Sequence, residues 1–280
     1  MSRIRVVTDS TADIEQEDAD RLGIGVVPLN VHWNGCTYQD KVEITIDEFY
    51  RKLRQEKGTP KTSQPSVGQF EAAYRGLLED ADGIVSVHIS GKLSGTLNSA
   101  QVAAKSVAAD RILVVDSRTT SYSLGMIVKR VASAASEGRS LRDCYELALD
   151  LVPRAKLFAA VDTLEFLRRG GRIGRAQAFT GNLLAIKLVF EIRDGEVYPV
   201  DRVRTRAAVI KRTADVVLDC GVLEEGAVLY GDDAEPASQL RRLIADVNPG
   251  LSLASGRIGP VLGTHTGPGV IGFAGLLLRN

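Results

Sequence analysis

The chain has 280 residues, 44% of them hydrophobic, long enough to bury a sizeable core and to divide into two domains. Lysine and arginine together number 35, as do aspartate and glutamate, so there is no net field of the kind that marks a nucleic-acid binder, and any anion site has to be local. Cys36, Cys144 and Cys220 are scattered without CxxC spacing, which speaks against a disulfide framework or a zinc site and for a reducing compartment.

Met1-Ser2-Arg3-Ile4-Arg5 runs directly into an apolar stretch with no leader-like segment, so the expected location is the cytoplasm. Apolar runs at 4–7, 25–31, 84–89 and 112–115 read as strands, and the spacing of apolar residues predicts helices over 67–78, 97–109 and 141–152. This alternation predicts an α/β fold whose N-terminal domain, 1–155, holds a mostly parallel sheet flanked by helices. Residues 55–66 read as a long functional loop. Beyond Pro153 the texture changes. Runs at 157–161, 189–192, 196–200, 227–230 and 261–264 read as strands of a mixed C-terminal α/β domain, 156–280, with Asp194-Gly195 as a hairpin turn. The apolar run 270–278 falls well short of a bilayer-spanning helix.

Three loops rich in hydroxyl, glycine and acidic residues follow strand-like runs: Thr8-Asp9-Ser10-Thr11, Ser90-Gly91-Lys92-Leu93-Ser94-Gly95-Thr96 and Asp116-Ser117-Arg118-Thr119-Thr120-Ser121. In a parallel sheet such loops gather at one carboxyl edge, where open α/β sheets hold their ligands. The second loop opens a helix, so backbone N–H groups around Gly95, with the Ser94 and Thr96 hydroxyls, form a cradle for a carboxylate or phosphate oxygen. A plain cap needs only one hydroxyl. Lys61-Thr62-Ser63-Gln64-Pro65-Ser66 precedes another helix and offers Thr62 and Ser63 to the same pocket, or Ser66 as a cap.

Residues 167–175 place four arginines and three glycines in one loop, and Arg202-Val203-Arg204-Thr205-Arg206 forms a second basic run; such runs suit a phosphate or partner contact, or a solvated surface. His265, with glycines on both sides, points to backbone approach to a ligand, whereas His32 and His88 sit inside strand patterns and read as structural. A dinucleotide-binding fingerprint, a Walker A motif and a GxSxG elbow are absent, and no cofactor is expected. Asp9, Asp13 and Asp116 at the sheet edge leave open a metal-dependent phosphate-ester hydrolase, and a regulatory binding protein for a small acid is a further alternative.

In order along the chain, Val7-Thr8-Asp9-Ser10-Thr11-Ala12-Asp13, Thr62-Ser63-Gln64-Pro65-Ser66, Lys92-Leu93-Ser94-Gly95-Thr96, Arg169-Gly170-Gly171-Arg172-Ile173-Gly174 and the segment from Gly259 to Gly269 with its Thr264-His265-Thr266-Gly267 centre resemble the DegV family of bacterial fatty-acid-binding proteins. The resemblance spans nearly the whole chain. It implies two α/β domains with a long-chain fatty acid in the cleft between them, its carboxylate held by Thr62 and Ser94. Arg172 and His265 are then expected near that carboxylate, with Arg202 as a third candidate. It also implies a carrier rather than an enzyme, which presents the fatty acid to a fatty acid kinase for conversion to an acyl phosphate used in lipid synthesis. No nucleic acid is expected as a partner, and at most transient contact with a membrane surface. The chain departs from the family pattern at Gly91, where many members carry serine, and at Ala185-Ile186-Lys187-Leu188, where Asn-Ile-Lys-Pro is more usual; the second departure bears on the pocket wall.

Overall fold

Residues 3–179 and 186–279 are described by the structure, a computed structural model. The first half contains β1 (Ile4–Asp9), α1 (Gln16–Leu22), β2 (Ile24–Val27), β3 (Asn30–Trp33), β4 (Cys36–Gln39), α2 (Ile46–Gln55) and β5 (Lys61–Ser63). It continues through α3 (Val67–Leu78), β6 (Gly83–His88), α4 (Thr96–Ala108), β7 (Ile112–Asp116), α5 (Ser121–Ser136) and α6 (Leu141–Leu151). The second half contains β8 (Ala155–Val161), α7 (Glu165–Arg169), β9 (Lys187–Arg193), β10 (Glu196–Val203) and α8 (Arg206–Leu218). It closes with β11 (Leu223–Tyr230), α9 (Glu235–Val247), β12 (Leu253–Arg257), α10 (Pro260–Thr266) and β13 (Ile271–Leu277).

The expected α/β class is what forms. A four-stranded parallel sheet runs β2-β1-β6-β7. Its central strands are apolar without alternation, and every residue of β6 is buried, because helices cover both faces. On one face Phe70 and Tyr74 of α3 and Ala100 of α4 pack on Val7 and Ile84. On the other, Leu124 and Ile127 of α5 pack on Val6, Val85 and Val87. The strand order reverses between β1 and β6, the topological switch point at which ligands bind in such sheets. Asp9 closes that point with buried hydrogen bonds: its carboxylate accepts from Ile89 N at 3.0 Å and pairs with His88 Nδ1 at 2.9 Å. His88 Nε2 meets Ser86 Oγ at 2.7 Å, which meets the Tyr74 hydroxyl at 2.8 Å. His88 is therefore a structural histidine, as its strand position suggested.

A second sheet, β10-β9-β8-β13-β11-β12, is mixed: only β11 and β12 pair in parallel. Side chains alternate across it. Phe158, Ala160 and Phe273 face a core under α8 and α9, while Leu157, Ala159 and Phe190 face the first half and share its core with α5. The change of sheet falls at Ala155, close to the expected boundary, yet the principal core runs across it. A small antiparallel sheet, β4-β3-β5, turns at Asn34-Gly35, both with positive φ as a tight hairpin requires. Among the described residues no helix is long and apolar enough to cross a membrane.

Several local expectations are corrected. The run 25–31 is not one strand: Pro28 interrupts it, β2 stays in the parallel sheet, and β3 starts the small one. The loop expected over 55–66 contains β5, whose Thr62 pairs with Val31. The strand expected over 261–264 is the helix α10. Pro260 occupies its first turn, where a missing N–H costs nothing, and Gly259 precedes it; a four-residue apolar run cannot separate these outcomes by periodicity. Of the departure at 185–188, Ala185 lies outside the described residues.

The α10 helix crosses back to pack on the small sheet and α2, and Gly263 permits its close approach. A Cβ at Gly263 would stand 2.7 Å from the Phe49 ring and 2.8 Å from the Tyr50 hydroxyl, on rings that are fully buried. Gly263→Ala should therefore destabilise the protein by about 1–3 kcal/mol through overpacking, against a helix-propensity gain of about 1 kcal/mol. Urea unfolding measures this; a variant at least as stable as the parent would show that α2 gives way freely.

Candidate functional site

The carboxyl edge of the parallel sheet faces the inner face of the mixed sheet, and between them lies a cavity enclosing about 840 Å³ of space, part of it open to solvent. Among the described residues 23 line it; fourteen of them are apolar, and eleven of those come from the second half, among them Leu157, Phe190, Ile192, Leu229 and Leu262. The polar lining has the opposite origin: Thr62, Ser63, Gln64, Ser94, Thr120 and Ser121 come from the first half, joined by Arg172, His265 and Thr266.

Local sequence places each polar group. In the 62–66 segment the roles divide. Ser66 forms a capping box with Gln69 at the start of α3, its Oγ accepting from Gln69 N at 3.2 Å, while Thr62 and Ser63 of β5 are part of the cavity lining. The Ser63 hydroxyl is shared with His32, 2.8 Å from Nε2. The α4 helix starts after Gly95, which has no side chain to cap it, so the N–H groups of the first turn other than that of Thr96 are left without a side-chain cap. Ser94 Oγ accepts from Thr96 N at 3.3 Å and lies 2.8 Å from the Thr96 hydroxyl. Thr96 is buried behind Ser94 and does not itself line the cavity. Gly95 leaves room for Gln64, whose side-chain amide would lie 2.5 Å from an added Cβ.

The arginine-rich loop sends one guanidinium inward. Arg172 Nε donates to Leu93 O at 3.0 Å and Nη1 to Gly170 O at 2.7 Å, so it also braces the backbone beside Ser94. Arg168 is exposed, Arg169 pairs with Glu165 and Thr59, and Arg175 pairs with Glu196. Arg202 is exposed on the edge strand β10 and is not among the cavity-lining residues.

His265 reaches the cavity from α10, with Nε2 2.8 Å from Thr62 Oγ1. Its Nδ1 is buried with no hydrogen-bond partner and rests against Gly170, where any Cβ would come within 2.0 Å of it. Burial, and then the positive charge of Arg172, push the imidazole down to about 4; it is neutral at physiological pH. A bound anion needs hydroxyls that donate. Thr62 is free to donate when His265 holds its proton on Nε2 and gives that bond to Oγ1. Ser94 is free to donate when the Thr96 hydroxyl and N–H both point at its oxygen. Two hydroxyls, each with a donor behind it, then line one mostly apolar cavity.

The carboxylates proposed for a metal are engaged elsewhere. Asp9 serves His88 and Ile89 N, Asp13 accepts from Lys41, Ser121 and Gly259, and Asp116 accepts from Arg118 N at 2.9 Å. Among the described residues no group of three His, Cys, Asp or Glu side chains is placed to hold a metal ion. Gly267-Pro268-Gly269-Val270-Ile271-Gly272 has the letters of a GxGxxG motif, but it leads from a helix into a strand, the reverse of the dinucleotide-binding order. Gln64 and Thr266, and the whole apolar wall, were not singled out from sequence. Gln64 was within reach as part of the same hydroxyl-rich segment; the wall, assembled from distant strands, was not.

The family model described as "Uncharacterised protein, DegV family" matches residues 3–276. A DegV domain-containing protein of Deinococcus radiodurans is 37% identical over 276 residues, covering 97% of each chain. A DegV family protein from Thermus thermophilus, whose structure is described in terms of fatty acid binding, superposes with a TM-score of 0.91 at 39% identity, covering 99% of this chain and 100% of its own. DegV from Bacillus subtilis, described as a fatty acid binding protein, gives 0.90 at 30% identity with coverage of 99% and 100%.

The buried imidazole makes stability depend on pH in a defined direction. Because the folded-state value of His265 lies below the ordinary 6.5, the unfolded chain binds more protons between about 4 and 6.5, and stability rises with pH through that window. Asp40, buried beside α10 and pushed up to about 6, has the opposite slope from about 4 to 6, so the difference between variants is the informative quantity. Between pH 6.5 and 4.5 the parent should lose about 2 to 3 kcal/mol more than His265→Gln. Equal losses in urea unfolding at the two pH values would place the imidazole in water.

Proposed function

The chain belongs to the DegV family, and we propose that it binds one long-chain fatty acid, with the carboxylate at Thr62 and Ser94 and the acyl chain along the apolar wall. The observation that carries this reading is the make-up of the cavity lining: hydroxyls and one imidazole, with Thr62 and His265 joined by a hydrogen bond, in a wall otherwise mostly of apolar side chains, several of them from β8, β9 and β11. Burying roughly 14 methylenes at about 0.8 kcal/mol each gives about 11 kcal/mol as an upper bound, before association and ordering costs reduce it. The tail supplies affinity. The head group supplies selection, because an ionised carboxylate in an apolar site is costly without donors.

The finer reading is that of a cytoplasmic carrier: the bound carboxylate is presented to a fatty acid kinase, which brings ATP and metal and forms an acyl phosphate. Arg172 and His265 flank the hydroxyl pair, and a guanidinium at that position suits the charge that develops as a phosphoryl group arrives. The hydroxyls hold the carboxylate without a direct ion pair to its nucleophilic oxygen. Arg202, exposed on β10, stands in this reading only as a contact for the kinase.

Two substitutions test the two levels. Ser94→Ala should weaken oleate binding by about 1–3 kcal/mol, the cost of leaving a buried carboxylate short of a donor; unchanged affinity in a titration would remove Ser94 from the site. Arg172→Ala also loses the brace on Leu93 O, so a loss of about 1 kcal/mol in oleate binding is expected. Acyl phosphate formation with the kinase, measured with the variant saturated by oleate, should fall far more. A kinase rate unchanged at saturation would contradict the charge-stabilising role.

A further inference from the structure

The family motif at the end of β1 includes a buried acid that does not touch the cavity. Asp13 follows a short 3-10 turn and takes a left-handed backbone conformation, φ 49°, uncommon for a residue with a side chain although asparagine and aspartate tolerate it best. That conformation places its carboxylate among donors from three remote segments. Oδ1 accepts from Lys41 Nζ at 2.9 Å and from Gly259 N at 3.2 Å, and Oδ2 accepts from the Ser121 hydroxyl at 2.8 Å. Gly259 is the residue from which α10 starts, and α10 carries His265. Ser121 begins α5 and lines the cavity, as does Ile258 immediately before Gly259.

The approach is close enough to exclude a side chain. A Cβ on Gly259 would stand 2.7 Å from Asp13 Oδ1 and 3.2 Å from Lys41 Cε. From Gly259 to His265 is six residues of helix, roughly 9 Å of rigid rise, so a shift at the start of α10 is carried to the imidazole. The same peptide unit is held from its carbonyl side by the Tyr50 hydroxyl, which donates to Ile258 O at 3.0 Å, and Ile258 N donates to Tyr230 O at 2.8 Å; the middle of α10 is fixed by packing of Gly263 on Phe49 and Tyr50.

We propose that Asp13 is a positioning residue for the polar end of the cavity: its carboxylate fixes the start of α10, and through α10 it sets His265 against Thr62. Lys41 offsets part of the burial that pushes this acid up, and Ser121 ties the same carboxylate to the cavity wall. The binding consequence rests on the fatty acid reading; the geometric consequence, the place of the His265 ring, does not.

The test uses the full chain as Asp13→Ala, Asp13→Asn and Gly259→Ala, with two readouts: the imidazole nitrogen NMR signals of His265, one of three histidines, and oleate affinity. Asp13→Ala and Gly259→Ala should each shift the His265 signals and weaken oleate binding by about tenfold, the scale of one compromised hydrogen bond to a charged ligand. Asp13→Asn keeps an oxygen for Gly259 and should return the His265 signals toward those of the parent. A general loss of thermal stability in these variants with His265 signals in their parental positions overturns the proposal. Should Asp13→Ala fail to fold, Gly259→Ala, which displaces the same contact from the other side, decides alone. Should the parent bind no oleate, the fatty acid reading falls while the His265 signals still judge the positioning role.

Discussion

A carboxylate at the end of a long alkyl chain imposes two demands that oppose each other. The chain gains free energy only where water is excluded, and the carboxylate loses free energy in the same place unless donors replace its hydration. A cavity for such a molecule therefore has to be dry along most of its length and rich in donors at one end. A permanent ion pair would satisfy the carboxylate but would also quench its oxygen as a nucleophile. Hydroxyls avoid that, provided their protons are directed into the cavity. Thr62 against His265, and Ser94 against Thr96, are two arrangements of the same kind: each hydroxyl has a neighbour that can donate to its oxygen.

The architecture separates the two demands between its halves. The parallel sheet delivers polar loops to one edge because all its strands point the same way. The mixed sheet delivers a wall because alternate residues of β8 and β9 turn the same face inward, with the other face covered by α8 and α9. The α10 helix joins them: it belongs to the second half by sequence, packs on the small sheet of the first, and carries His265 to Thr62. Buried acids hold these junctions. Asp9 fastens the loop that leads to Ser94, and Asp13 fastens the start of α10.

Much of this was legible in the sequence where local rules suffice. The parallel sheet follows from apolar runs alternating with helical patterns, and the helix expected over 67–78 is α3 residue for residue. Four of the candidate site residues, Thr62, Ser94, Arg172 and His265, line one cavity, and Ser63 lines it too. Gly95 and Thr96 stand behind Ser94. Where local rules ran out, the misreadings have physical causes. A short apolar run at 261–264 carries no period; Pro260 in the first turn, with Gly259 before it, suits a helix start. The split of 25–31 followed from one missing N–H at Pro28. Arg202 was singled out for its charge, yet strand register, which sequence does not state, puts it on an exposed edge. The apolar wall was invisible for a simpler reason: Leu157, Phe190 and Leu229 look like any strand residue until three strands are laid side by side.

The most direct test of the account is mass spectrometry of the purified protein, first native and then denatured with organic extraction. A native mass excess should disappear on denaturation, with a long-chain fatty acid released at about one per chain. A protein that emerges empty and takes up no added oleate would contradict it, whatever the shape of the cavity.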